Sequence, residues 1–111
     1  MDIIFLDEGL RRTVNSEKRL RRKFPGRRGK LLRQRLDELR AAVTLEDMRG
    51  LPGRCHELKH DRTGQLAIGL EHPYRLIFEP ANNPIPRYAG GNLDWTRVTA
   101  IRIIEVVDYH D

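Results

Sequence analysis

Cysteine is almost absent from this chain, which has Cys55 as its one cysteine in 111 residues. An internal disulfide is therefore excluded, and so are zinc sites built from two or more cysteines. No apolar run approaches the ~20 residues that a membrane-spanning helix needs. The N-terminal apolar run, residues 3–6, follows no basic segment and so lacks the form of a secretory signal. These absences lead us to expect a cytoplasmic protein with no membrane partner.

Acidic residues are scarce in one stretch, residues 11–40, which has thirteen Arg or Lys, three acids and a net charge of +10. The rest of the chain sums to −5, so the whole chain has a net charge of +5. The positive charge is thus a patch, and a dense arginine patch attracts polyanions, either RNA or an acidic protein surface. An ordinary solvated helix face is the alternative explanation.

The basic patch coincides with two predicted helices. Their apolar stripes are Leu10, Val14, Leu20 and Phe24 in the first and Leu32, Leu36, Leu39 and Val43 in the second. Glu17 interrupts the first stripe, and Pro25-Gly26 separates the two helices. Each helix is predicted to pack its apolar stripe on a sheet and to leave its cations, Arg35 among them, in solvent.

After residues 50–53 the spacing of the apolar residues changes from 3.6 to 2, which is typical of strands. The predicted strands are residues 3–6, 55–58, 66–70, 74–78 and 98–107. The third and fourth form a hairpin, and residues 80–97 form a long Pro- and Gly-rich loop. Adjacent apolar residues Ile103 and Ile104 indicate either a bulge or a strand covered on both faces. We therefore predict one α+β domain over residues 1–111.

Three segments hold side chains suited to chemistry. They are His56-Glu57-Leu58-Lys59-His60-Asp61-Arg62-Thr63-Gly64-Gln65, Tyr74-Arg75-Leu76-Ile77-Phe78 and Val107-Asp108-Tyr109-His110. In this order, behind two basic helices, they resemble the HigB toxins of the RelE/ParE superfamily, the toxin halves of bacterial type II toxin–antitoxin pairs. The chain departs from that family at His60, where glycine is usual, and in the length of the loop at residues 80–97.

The resemblance implies a RelE-like fold with two N-terminal helices on a twisted, mostly antiparallel sheet. It also implies a ribosome-dependent endoribonuclease that cleaves mRNA without a metal or other cofactor. A cognate HigA-like helix-turn-helix antitoxin would hold it inactive, with residues 11–40 as one candidate face for docking. Operator DNA would be bound only through the antitoxin complex. The implied site residues are His56, Asp108, Tyr109 and His110 for catalysis and Lys59 and Arg75 for phosphate binding, to which we add Arg62 from the same turn.

These residue types suit RNA cleavage because RNA has its own nucleophile, the 2′-hydroxyl group. A base must accept the 2′ proton, an acid must protonate the leaving 5′-oxygen, and cations must stabilise the charge that develops on phosphorus. We hypothesise that His56 and His110 share the acid–base work, since imidazole titrates near ~6.5. Lys59 and Arg75 would hold the scissile phosphate, Arg75 by a two-pronged contact.

Asp108 and Tyr109 each have more than one candidate role. Asp108 would orient His110 or accept a proton itself. Tyr109 would stack on a base or hydrogen-bond the sugar. The residues alone do not separate these assignments.

Several of these residues have simpler explanations when they are taken singly. His56 could be a structural histidine, and Arg75 an ordinary surface arginine. His60 and His72 are expected to be bystanders, and His56 with His60 would suit a metal only on a helix. Trp95 could stack on RNA, although an anchor of the long loop against the sheet is the preferred interpretation.

Two other functions compete with the ribonuclease. ParE-type members of the superfamily poison DNA gyrase, but they lack a catalytic Asp-Tyr-His end. A non-enzymatic basic module that binds nucleic acid or an antitoxin predicts that mutation of His110 has no effect.

Overall fold

The computed structural model describes residues 1–108, which form three helices and five strands. The helices are α1 (Glu8–Val14), α2 (Glu17–Lys23) and α3 (Arg27–Ala41). The strands are β1 (Asp2–Phe5), β2 (His56–Glu57), β3 (Leu66–Gly69), β4 (Tyr74–Pro80) and β5 (Ala100–Asp108). In this part of the chain, no helix has the length and apolar character needed to cross a membrane.

The five strands form one sheet in the order β1-β5-β4-β3-β2. The strand β1 runs parallel to β5, and the other three pairings are antiparallel. The predicted hairpin is the pair β3 and β4, and β5 lies inside the sheet beside β4. The predicted α+β class with a mostly antiparallel sheet is confirmed.

The first predicted helix is in fact two helices. The helix α1 ends at Val14, and the side chain of Ser16 caps α2 by accepting a hydrogen bond from the Arg19 backbone N–H at 3.3 Å. A serine that binds backbone groups in this way favours a helix start over a helix interior. The helical packing therefore comes from three helices, with a break at the point where Glu17 interrupts the apolar stripe.

The main core lies between the helices and one face of the sheet. Its fully buried members include Leu32, Leu36, Leu39, Leu76, Phe78, Ile101 and Ile103. Burial of each such side chain contributes about 1.5–3 kcal/mol before the entropy cost of ordering it. The second predicted stripe is therefore correct except at Val43, which is 77% exposed because α3 ends at Ala41.

The final strand contains the bulge that the sequence left as one of two alternatives. Phe78 pairs with Ile103 and Ile77 pairs with Glu105, so Ile104 has no partner in the ladder. Ile104 packs instead on a smaller apolar cluster on the other face of the sheet, which includes Ile77.

The long loop at residues 80–97 is anchored to the core by Trp95. This side chain is 3% exposed, and its Nε1 donates a hydrogen bond to Glu57 Oε2 at 3.0 Å. The guanidinium of Arg49 lies 3.8 Å from the centre of the indole ring. The prediction that Trp95 anchors this loop is confirmed.

Candidate functional site

A cleft of about 410 Å³ lies between the start of α3, the segment before β2 and the turn from β3 to β4. In the described part of the chain, it is lined by six arginine or histidine side chains and by one acidic residue, Glu71. The six are Arg27, Arg35, Arg54, His56, His72 and Arg75. A concave surface with this excess of positive groups attracts anions, and its volume is typical of ligand sites.

The cleft brings together His56 and Arg75, two of the residues predicted for the site. His56 lies opposite Ala67 on β3, and Arg75 lies opposite Gly69 on the same strand. Because side chains alternate along a strand, this register places His56 and Arg75 on one face of the sheet. Ala67 is fully buried, and Gly69 has no side chain that would fill the space beside the Arg75 guanidinium.

His56 is oriented by the backbone just before it. Its Nδ1 lies 2.8 Å from the carbonyl oxygen of Arg54. A carbonyl only accepts hydrogen bonds, so Nδ1 is the donor. In the neutral ring, Nε2 is then the basic nitrogen. This tautomer suits His56 to receive a proton through Nε2.

Arg75 passes over a glycine. A Cβ atom added at Gly69 would lie 3.5 Å from Arg75 Nη1 and 3.2 Å from the carbonyl oxygen of Gly53. The Nε of Arg75 is buried and has no hydrogen-bond acceptor among residues 1–108. A buried donor without an acceptor costs free energy, which an anion bound at this guanidinium would recover.

Arg35 forms part of the floor of the cleft, and the prediction that it lies in solvent is wrong. It is 6% exposed, with Nε donating to the Gly69 carbonyl oxygen at 3.0 Å and Nη1 3.2 Å from Glu38 Oε1. Gly53 leaves the room for it, because a Cβ there would approach Arg35 Nε to 2.8 Å. The carbonyl and the carboxylate together satisfy a charge that burial alone would make costly.

The remaining predicted residues lie around the cleft or beyond the described residues. Lys59 is exposed at the start of the turn after β2. Arg62 is held by Glu105 at 2.9 Å and lies outside the cleft lining. Asp108 ends β5 opposite Tyr74, the residue before Arg75. Tyr109 and His110 lie outside the described residues.

Sequence reasoning missed Arg27, Arg54 and His72 as lining residues. A signal for Arg27 was present, since cations at the first turn of a helix oppose the helix dipole. The adjacent Arg28 stacks on Tyr74, with its guanidinium carbon 3.5 Å from the ring centre. His60, expected to be a bystander, is exposed and is not among the cleft-lining residues in the described part of the chain.

Thiol chemistry does not suit Cys55. Burial raises the pKa of its thiol to about 12, so the reactive thiolate is rare at neutral pH. Within residues 1–108, no group of three or more His, Cys, Asp or Glu side chains could hold a metal ion.

Comparison with solved structures finds a protein of similar fold. No protein-family model matches the chain, and the search of curated proteins finds no match. A chain of the YoeB-YefM complex from Staphylococcus aureus superimposes with a TM-score of 0.55, over 100% of this chain and 98% of that chain. The two are 16% identical in sequence, so the similarity shows the fold alone. The fold is RelE-like, as the sequence motifs predicted.

Proposed function

We propose that this chain is the toxin of a type II toxin–antitoxin pair and acts as a ribosome-dependent endoribonuclease. The observation that carries the proposal is the basic cleft in which His56 and Arg75 meet, although they come from strands that are not neighbours. The RelE-like fold supports the superfamily. The HigB type rests on the motifs around His56, Arg75 and Asp108-Tyr109-His110.

In the proposed reaction, the 2′-oxygen of RNA attacks the adjacent phosphorus. A new O2′–P bond forms, the P–O5′ bond breaks, and the products are a 2′,3′-cyclic phosphate and a 5′-hydroxyl. The tautomer of His56 supports its role as the base that takes the 2′ proton through Nε2. His110 would be the acid that protonates O5′, and no metal or cofactor enters the reaction.

The other proposed residues bind or orient the RNA. Arg75 would stabilise the extra charge on the pentacoordinate phosphorus. Lys59 and Arg62 would contact phosphates farther along the strand, Arg62 after exchanging its partner Glu105. Asp108 would orient His110, and Tyr109 would stack on a base.

The proposed partners follow from the same assignment. The structural neighbour comes from a two-protein complex, which supports a protein partner for this chain. We propose a cognate HigA-like helix-turn-helix antitoxin that docks on the exposed cations of residues 11–40. Operator DNA would be reached only through that complex. The ribosome would present the mRNA in the cytoplasm, with no membrane involved.

The test is mRNA cleavage in a purified translation system, with ribosomes present or left out. We expect fragments cut within codons, only with ribosomes, and a loss of about 10²–10⁴-fold in rate for His56→Ala and for His110→Ala. His60→Ala, an exposed histidine that is not assigned to the cleft, is the matched control. Absence of cleavage by the folded, antitoxin-free protein would refute the ribonuclease, and gyrase inhibition would then be tested.

A further inference from the structure

We propose that the cleft holds two consecutive RNA phosphates, the first at Arg75 and the second between Arg27 and Arg54. The identification of the ligand as RNA rests on the proposed function. The second phosphate position itself rests on the charges and volume of the cleft.

The cations of the cleft are not equivalent. Arg35 is buried, and Glu38 and the Gly69 carbonyl oxygen already satisfy it. Arg27 and Arg54 are exposed, and neither forms an ion pair with a carboxylate of residues 1–108. These two arginines, together with Arg75, are therefore the guanidinium groups that a ligand can reach.

Arg27 has no ion-pair partner among residues 1–108 and lies at the end of its helix that disfavours a cation. It is the first residue of a 15-residue helix whose first turn has no acidic side chain. A cation there opposes the helix dipole, where an acid would be favourable. Its neighbour Arg28 stacks on Tyr74, although the Arg28 Nε, like that of Arg75, is buried without an acceptor among residues 1–108. A residue that works against its own helix is expected where function requires it, and here its side chain lines the cleft.

The backbone of Arg54 has a conformation that residues other than glycine disfavour. Its φ is +52°, in the left-handed region that side chains with a Cβ seldom adopt. This conformation occurs where the Arg54 carbonyl oxygen accepts the hydrogen bond from His56 Nδ1. Arg54 is thereby placed two residues from the proposed base and in the same cleft.

The volume of the cleft supports two phosphates rather than one. At about 410 Å³ it is within the range of ~300–1,000 Å³ seen for sites that enclose whole small molecules. A single phosphate would leave much of this space and two arginines unused. In RNA, a nucleoside bears a phosphate on its 3′-oxygen and another on its 5′-oxygen. The scissile 3′-phosphate at Arg75 would thus bring the 5′-phosphate of the same nucleoside to Arg27 and Arg54.

Calorimetric titration with adenosine 3′,5′-bisphosphate and adenosine 3′-monophosphate tests the proposal on the antitoxin-free protein. We expect the bisphosphate to bind about tenfold more tightly, a difference of about 1.4 kcal/mol. Arg27→Gln and Arg54→Gln should each reduce this ratio to below about threefold and change monophosphate affinity by less than about twofold. Arg75→Gln should weaken both ligands, and Arg22→Gln, an exposed arginine of α2 outside the cleft, should alter neither.

Two results would overturn the proposal. One is equal affinity of the wild type for the two adenosine ligands, a measurement that needs no variant to fold. The other is that Arg27→Gln and Arg54→Gln change the ratio of bisphosphate to monophosphate affinity no more than Arg22→Gln does. A glutamate-rich peptide that displaced the bisphosphate at lower concentration than RNA would also overturn it, since the cleft would then be a protein-binding surface.

The outcome is separable from that of the ribonuclease test. Ribosome-dependent cleavage together with equal affinities would remove the second phosphate position and leave the ribonuclease. A tenfold affinity ratio without cleavage would support the two-phosphate site and refute the ribonuclease.

Discussion

Arg35 donates a hydrogen bond from Nε to the backbone carbonyl oxygen of Gly69 at 3.0 Å, and so joins α3 to β3 beneath the cleft. The N–H of the same glycine donates to the carbonyl oxygen of Gly53 at 2.7 Å. The backbone of Gly69 is therefore bound on both sides, by a helix and by the segment that leads into β2. Any shift of α3 would move the strand over which Arg75 lies.

Removal of Arg35 is expected to be costly. Arg35→Ala should lower the free energy of unfolding by about 3 kcal/mol, because it leaves the Gly69 carbonyl and Glu38 without their buried partner. Urea unfolding measures this loss. Arg40→Ala, an exposed arginine of the same helix, should change stability by less than about 0.5 kcal/mol. Equal effects of the two substitutions would show that the buried contacts of Arg35 contribute nothing.

A side chain at Gly69 should affect the cleft. In Gly69→Ala the added Cβ would lie 3.2 Å from the Gly53 carbonyl oxygen, which cannot retreat without lengthening its hydrogen bond. We expect a loss of about 1 kcal/mol in stability and weaker phosphate binding, because the Gly53 carbonyl must shift and Arg54, the next residue, lines the cleft. Gly50→Ala, whose Cβ meets nothing within 4 Å, is the matched control. Phosphate affinity unchanged in Gly69→Ala would contradict the role given to this glycine.

Replacement of His60 with glycine is expected to stabilise the folded protein. It has a φ of +59°, in the left-handed region where glycine has no steric cost. His60→Gly should raise the free energy of unfolding by about 0.5–1 kcal/mol, since the strain relieved exceeds the entropy that glycine adds to the unfolded chain. The measurement is thermal or urea unfolding beside Asp61→Gly, which lacks a positive φ and should destabilise. A loss of stability in His60→Gly would mean that this side chain has a structural contact of its own.

The long loop should lose stability in acid through Asp94. The hydrogen bond from Thr96, followed by the ion pair with Arg97 at 2.7 Å, lowers the pKa of Asp94 from 3.8 to about 2. The stabilisation from this carboxylate is complete above about pH 4 and is lost as the pH falls through the folded pKa of about 2. The difference in thermal midpoint between wild type and Asp94→Asn should therefore shrink between pH 5 and pH 2. A difference that stays constant over this interval would contradict the assignment.

The parts of the fold set by local periodicity could be predicted from sequence. The spacing of Leu32, Leu36 and Leu39 identified the buried side of α3, and the adjacent Ile103 and Ile104 left a bulge as one of two alternatives. His56 and Arg75 were expected to lie close together because the hairpin of β3 and β4 follows β2 directly, and β2 does pair with β3.

The burial of Arg35 could not be predicted in the same way. It depends on Gly53 and Gly69, which are distant in sequence and make room only after the sheet has formed. Arg27 and Arg54 belong to no motif, and only the folded chain places them in one cleft. The parallel pairing of β1 with β5 also joins opposite ends of the described chain, where local pattern has no influence.

The bulge at Ile104 decides which side of the sheet the end of β5 presents. Ile103 pairs with Phe78, and Asp108 pairs with Tyr74. Ile103 and Asp108 are five positions apart and lie on the same face, whereas regular alternation would place them on opposite faces. The strand β5 has one residue, Ile104, that does not take part in the pairing with β4. Deletion of Ile104 would remove the bulge and leave every later side chain of β5 on its present face. Deletion of one residue from 105–107, with the bulge kept, would move the later side chains to the opposite face. Among single-residue deletions within residues 104–107, removal of the bulged residue is therefore the one expected to leave Asp108 on its present face.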